Sequence, residues 1–320
     1  MLTREDRNFI GRVRSLGGQS PLRMDDEELA ALVAVIACDA GFQKALSIEH
    51  RKQFGRPYFS IPIEDVRVAD GSVFAELFSW AAAEITDFRT YFRCLCELHK
   101  RRRKYAVIKR HQPLPTDVQV APRALLEYGE MQPELLGEWL TIRKYVYDLD
   151  NRAAQETGYL FEPILAHAIG GCPTSAKKSP VRRRADAAKG RQIDCLLDRD
   201  AYEFKLRVTI AASGQGRFAE RVDFAEDCLA SGYRPVLVVL DPTPNARLTD
   251  LVKAYEAVGG TAYIGDGAWK HLESRAGPLM SRFIEMYIRR PIDAVAPFIG
   301  KPFSMRLGYD KGLHLLDRGI

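Results

Sequence analysis

Residues 191–207 read Arg-Gln-Ile-Asp-Cys-Leu-Leu-Asp-Arg-Asp-Ala-Tyr-Glu-Phe-Lys-Leu-Arg, and their alternation predicts a small β-hairpin. Ile193, Cys195 and Leu197 alternate with Asp194 and Leu196; Tyr202, Phe204 and Leu206 alternate with Glu203 and Lys205, with a polar turn between. Residues two apart share a strand face, so Glu203 and Lys205 project together while Phe204 points the other way. A two-residue loop at either 198–199 or 199–200 sets Asp194 opposite Glu203 or Lys205, on the same face in both registers. A bulge would break that parity. Opposed side chains start about 5 Å apart at Cβ, so two carboxylates there can grip one small cation at roughly 2.0–2.1 Å, as magnesium requires. Two acids on one face repel unless a cation or a proton neutralises them, and strands select against Asp, Glu and Lys. The plain alternative is a solvated outer face on which Lys205 pairs Glu203.

The order Asp, then Glu-x-Lys on the next strand, resembles the PD-(D/E)XK nuclease superfamily, here written Ile193-Asp194 and Glu203-Phe204-Lys205. Ile193 stands where the family's name has proline, which leaves the ligands untouched. The continuation through Lys205-Leu-Arg-Val-Thr209 and Ser213-Gly-Gln-Gly-Arg217 resembles type II restriction endonucleases, and among them the ApaLI-like enzymes, over residues 157–292. The resemblance implies an α/β fold: a PD-(D/E)XK nuclease core with a central mixed β-sheet flanked by helices, plus a mainly helical N-terminal region. It implies hydrolysis of double-stranded DNA at a specific sequence by Mg2+-assisted attack of water, leaving 5′-phosphate and 3′-hydroxyl ends. Asp194 and Glu203 would hold the metal, with the Phe204 carbonyl as a third ligand, while Lys205 orients the water and adds positive field. A helix before the hairpin often contributes a further glutamate, and Glu162 holds that place. The competing reading of Glu162 is a surface carboxylate at a helix N-terminus. A palindromic target calls for a homodimer, and such a system carries a cognate DNA methyltransferase.

Bulk properties leave this reading open. A hydrophobic share of 46%, a charged share of 28% and a net charge of +5 describe an ordinary globular chain. The longest apolar run, residues 29–37, falls short of the roughly 20 residues a membrane span needs, and no signal-peptide pattern opens the chain, so a cytoplasmic location is expected. Cys38, Cys94, Cys96, Cys172, Cys195 and Cys228 form no Cys-x-x-Cys pair and read as buried free thiols. His167 reads as an accommodated helix residue rather than a general base.

Residues 1–150 are expected to be a mainly helical region for DNA binding or dimerisation. Acids at 25–28 open a helix that ends near Gly41. Strands are expected near Asp70-Gly71. A long helix from Phe74 to Leu98 ends in His99-Lys-Arg-Arg-Arg-Lys104, and this cluster, with Arg101, Arg102 and Arg103 at its centre, exceeds what capping needs and suits phosphate contact. Two helices divided near Gln132-Pro133 complete the region.

Residues 151–320 are expected to be the endonuclease core. A helix beginning or bending at Pro163 closes at Gly170. Between it and the hairpin, Lys177, Lys178, Arg182, Arg183, Arg184 and Lys189 face only Asp186, and this segment is expected to be a mobile basic loop that draws in a polyanion. Gln215 and Arg217, in a glycine-flanked loop, could approach DNA or serve as turn residues. Helix, strand, helix, strand follow, with residues 236–240 a fully apolar buried strand. Two rivals stand beside the restriction-enzyme reading: a non-specific repair or mobile-element nuclease of the same superfamily, and a non-catalytic DNA-binding protein with solvated acids.

Overall fold

An apolar strand flanked on both sides by other strands must bury both faces, and the run at 236–240 does so. In the computed structural model, which describes residues 2–15, 22–206, 215–299, 305–309 and 313–317, it lies within a five-stranded mixed sheet. The strands are β1 (Cys172–Thr174), β2 (Arg182–Arg183), β3 (Asp186–Gly190), β4 (Ile193–Leu197), β5 (Asp200–Lys205), β6 (Arg234–Val239) and β7 (Thr261–Ile264). The sheet order is β1-β4-β5-β6-β7, with β2 and β3 pairing separately. β4 runs antiparallel to β1 and β5, whereas β5, β6 and β7 are parallel. Val236 and Val238 face one core and Leu237 and Val239 the other, so from Val236 to Val239 no position is left for a polar residue.

The helices are α1 (Arg4–Val13), α2 (Asp26–Asp39), α3 (Ile48–Phe54), α4 (Phe74–Glu84), α5 (Phe88–His111), α6 (Asp117–Val120), α7 (Pro133–Ala168), α8 (Gln215–Ala230), α9 (Ala246–Ala257), α10 (Asp266–Ile284) and α11 (Arg290–Val295). The chain divides into two compact units, Met1–Lys100 with Gly158–Arg289, and Arg101–Thr157 with Arg290–Ile320. The boundaries fall inside α5 and α7, and position 150 lies within α7.

In the larger unit the sheet separates two cores. On one face α2, α4, the first part of α5, the end of α7 and α10 enclose an aromatic-rich core. On the other, α8 and α9 cover Ile193, Ala201, Leu237 and Val239. α2 carries a capping box, Asp25 accepting from Glu28 N–H and Glu28 from Asp25 N–H. Residues 29–37 are buried on every side, so this helix is a core rod rather than an amphipathic one. Asp39, at its end, accepts from the hydroxyls of Tyr91 (2.8 Å) and Tyr287, which satisfies a buried carboxyl. Gly170 ends α7 at φ 86, and a Cβ on Gly171 would sit 2.3 Å from Cys195 Sγ, so only glycine lets the helix end meet β4.

Several expectations are corrected. No strand forms near Asp70-Gly71: the region is 3₁₀ turns at Tyr58–Ser60, Ile63–Asp65 and Gly71–Val73, where Pro57 and Pro62 remove donors and Asp70 accepts from Ser72 N–H. The helix expected over residues 74–98 is two, broken where Asp87 takes φ 59. The second does not stop at the basic cluster but runs on to His111. The pair expected at 122–149 is a 3₁₀ turn at Ala121–Leu126 followed by α7, whose 36 residues pass through Pro163. The basic segment before the hairpin is no mobile loop, since it forms β2 and β3 and docks on α8. Gln215 and Arg217 belong to the first turn of α8 rather than to a loop; residues 207–214 and the side chains of both lie outside the described residues.

In the smaller unit, Val120, Leu136 and Leu140 form a small core, Glu127 accepts from Trp139 and Arg143, and β8 (Met305–Tyr309) pairs with β9 (Leu313–Asp317).

Candidate active site

The register of the hairpin decides the face of its acids. Cys195 pairs with Tyr202, Leu196 with Ala201 and Leu197 with Asp200, so the loop is Asp198-Arg199 and one further step sets Asp194 across from Glu203. Asp198 supplies the left-handed turn conformation at φ 53, which a short polar side chain tolerates. Tyr202 and Phe204 go to the aromatic core. Glu203, Lys205 and Asp194 therefore lie under α8 and α9, at the carboxyl end of the parallel strand β5, where open α/β sheets bind ligands.

The three side chains meet. Lys205 Nζ lies 3.1 Å from Glu203 Oε1 and 3.6 Å from Asp194 Oδ2, and donates to the Phe204 carbonyl at 2.9 Å. Phe204 N–H donates to Asp194 Oδ2 (2.9 Å). The hydroxyl of Tyr255, fully buried on α9, donates to Glu203 Oε2 (2.8 Å), which fixes that carboxylate with its other oxygen toward Lys205. Burial, with the charge of Glu203, pushes the Asp194 carboxyl up, although Lys205 opposes it. Burial alone would lower the Lys205 ammonium, but Glu203 and Asp194 outweigh it and hold it above its ordinary value.

Glu162 faces the same cluster. Burial first, then the charges of Asp194 and Glu203 against that of Lys205, raise its carboxyl to about 7. α7 begins at Pro133, so Glu162 is no helix N-terminal carboxylate and the dipole reading is withdrawn. In the metal-free protein the folded state holds a proton that the unfolded chain has lost, so stability falls as pH rises from about 4.5 to about 7. Glu162→Gln is therefore expected to be more stable than the parent at pH 8 in chelator, by on the order of 1 kcal/mol once solvent screening of a half-buried group is allowed for. Near pH 4.5 the two should melt together. A Gln variant that melts lower at pH 8 would contradict this coupling.

Among the described residues no three His, Cys, Asp or Glu side chains stand close enough to hold an ion as placed. The donor set nonetheless fits a hard divalent cation. Oxygens of Asp194, Glu203 and Phe204 already converge on one cationic nitrogen, and carboxylate and carbonyl oxygens are what such ions take.

Over the cluster opens a cleft of about 330 Å³ whose lining includes Arg183, Arg191, Gln192, Glu220 and Arg221. A profile of the ApaLI-like restriction endonuclease family matches residues 73–289. The chain belongs to that family. It is 52% identical over 293 residues to the type II restriction enzyme ApaLI of Acetobacter pasteurianus, an alignment covering 86% of this chain and 77% of that enzyme. No solved structure matches the chain. As an ApaLI-like restriction endonuclease it cuts DNA at a specific sequence, in agreement with the family and fold expected from the hairpin.

The cations expected to meet DNA fall into two groups. Lys177, Lys178 and Arg182 are exposed. Arg183 pairs with Glu220 (3.3 Å), Arg184 with Glu226 and Asp227, and Lys189 with Asp186 (2.9 Å). On α5, Arg101 and Lys104 both hold Glu156, while Arg102 and Arg103 are half-buried. Sequence reasoning missed Tyr255, Arg191 and Arg221. Tyr255 reads as one more member of an apolar stripe, and only its hydroxyl, which a buried tyrosine must satisfy, hinted at a partner.

Proposed function

We propose that this cleft hydrolyses phosphodiester bonds of duplex DNA with magnesium held by Asp194, Glu203, the Phe204 carbonyl and Glu162. The observation that carries it is the convergence of Asp194, Glu203 and Phe204 oxygens on the Lys205 ammonium within 2.9–3.6 Å. When bound, magnesium supplies Lewis acidity at the reacting phosphate and acidifies water. Asp194 is held by the Phe204 N–H and Glu203 by Tyr255, so both carboxylates are oriented before substrate arrives. Lys205 orients the attacking water and places positive charge beside the phosphate as negative charge builds there. A bond forms from water oxygen to phosphorus and the bond to the 3′ oxygen breaks. One proton leaves the water and one arrives on the departing oxygen, giving 5′-phosphate and 3′-hydroxyl ends.

Lys177, Lys178 and Arg182, together with Arg183, Arg184 and Lys189, provide phosphate contacts beside the cleft; Gln215, Arg217 and the Arg101–Arg103 cluster are further DNA contacts. A palindromic target is served by a two-fold homodimer. The enzyme works in the cytoplasm beside a methyltransferase of the same specificity; among the described residues no helix is long and apolar enough to cross a membrane. Digestion of a defined plasmid tests the reading. Discrete fragments are expected with magnesium and none in chelator, and protein that leaves plasmid intact under all divalent ions would sink it.

A further inference from the structure

We propose that Arg221 is a catalytic residue that grips the reacting phosphate in this cleft; the inference rests on the nuclease reading above. Four cations line the cleft: Arg183, Arg191, Lys205 and Arg221. Three of them are engaged. Arg183 pairs with Glu220, Arg191 with buried Asp227, and Lys205 with Glu203 and Asp194. Arg221 has no hydrogen-bond or carboxylate partner among the described residues, and it is half-buried.

Its position follows from the helix. Phe224 is buried against the sheet and Asp227 against the β2–β3 hairpin. Residues three and four apart share a helix face, so Arg221 stands one turn before Phe224 on the side that looks onto the acids. A half-buried guanidinium among other cations costs free energy unless an anion joins it. Every carboxylate of the lining, Asp194, Glu203 and Glu220, already holds another cation. Among the described residues the cleft offers Arg221 no further anion, and in a DNA-cutting cleft the anion that fits is a phosphate. Guanidinium suits that task because its planar fork offers paired N–H donors to two non-bridging oxygens, and such donors act most strongly as charge accumulates in the transition state.

The test is single-turnover cleavage of a cognate duplex in magnesium by the parent, Arg221→Ala, Arg221→Lys and Lys253→Ala, the last an exposed residue of α9. Duplex affinity is measured in calcium and melting temperature in chelator. Arg221→Ala is expected to lose about 10²–10³-fold in rate with duplex affinity changed by less than about tenfold and melting unchanged. Arg221→Lys, which keeps charge without the fork, should fall between, and Lys253→Ala should match the parent. Cleavage by Arg221→Ala within threefold of the parent overturns the proposal, as does a rate loss equalled by the loss of duplex affinity. If Arg221→Ala unfolds, Arg221→Gln decides, and parental activity there overturns it. A parent that cuts nothing brings down the nuclease reading and this inference together; a parent that cuts beside an equally fast Arg221 variant sinks only the inference.

Discussion

Asp194→Asn is expected to abolish cleavage, by about 10³-fold or more, while the protein folds and binds its duplex as before. The carboxamide keeps an oxygen for the Phe204 N–H now bonded to Asp194 Oδ2, so the strand geometry survives. What disappears is one negative charge of the pair that converges on Lys205. Because burial and Glu203 already disfavour the Asp194 carboxylate, removing its charge costs the metal-free fold nothing electrostatically, and melting in chelator should hold or rise. The same substitution should weaken binding of manganese measured by calorimetry. Lys205→Ala separates the two roles: it should lose cleavage comparably yet bind manganese at least as tightly, since the ammonium competes for the same oxygens. An Asn variant that cuts within tenfold of the parent would remove the acids from the chemistry and leave the non-catalytic reading standing.

How far the sequence alone reaches is clear at these residues. Strand parity places Asp194, Glu203 and Lys205 on one face whichever loop closes the hairpin, so the site was legible before its register, which Asp198 at φ 53 then selects. β6 was equally legible, since only burial on both faces calls for five apolar residues in a row. α7 was not. The sequence leaves open a helix that begins at Pro163 or one that bends there, and hides its continuity with the turns before it; Ile164, Leu165 and Ile169 are anchored in the core and carry the helix through the proline at the cost of one backbone hydrogen bond. The break at Asp87 was hidden because apolar periodicity continues across it. The basic segment before the hairpin looked mobile because the acids that order it, Glu220, Glu226 and Asp227, lie some 40 residues downstream on α8. Composition of a segment cannot reveal a partner that distant.

Those acids also set the largest expected effect on stability. Asp227→Ala should destabilise the fold by about 3–5 kcal/mol and lower its melting temperature by roughly 10 °C. Asp227 is 2% exposed and Arg191 7%. Its Oδ2 accepts from Arg191 Nε and its Oδ1 from the Arg184 N–H (2.8 Å). Alanine would leave a guanidinium buried with only the more exposed Asp223, 3.8 Å away, for compensation, and would orphan a backbone donor as well. The penalty belongs to the abandoned charge rather than to the lost attraction. Asp227→Ala combined with Arg191→Met should therefore recover most of the stability, because replacing both members of a buried pair removes both desolvation costs. Melting curves of the parent, the two single variants and the double variant measure this directly, and a double variant no more stable than Asp227→Ala would refute the ion-pair account. Cleavage should not return with stability. Arg191 and Arg183 line the cleft with Asp194, Glu203 and Lys205; the double variant lacks the first of these arginines, and its β2–β3 segment is no longer tied to α8 through Asp227.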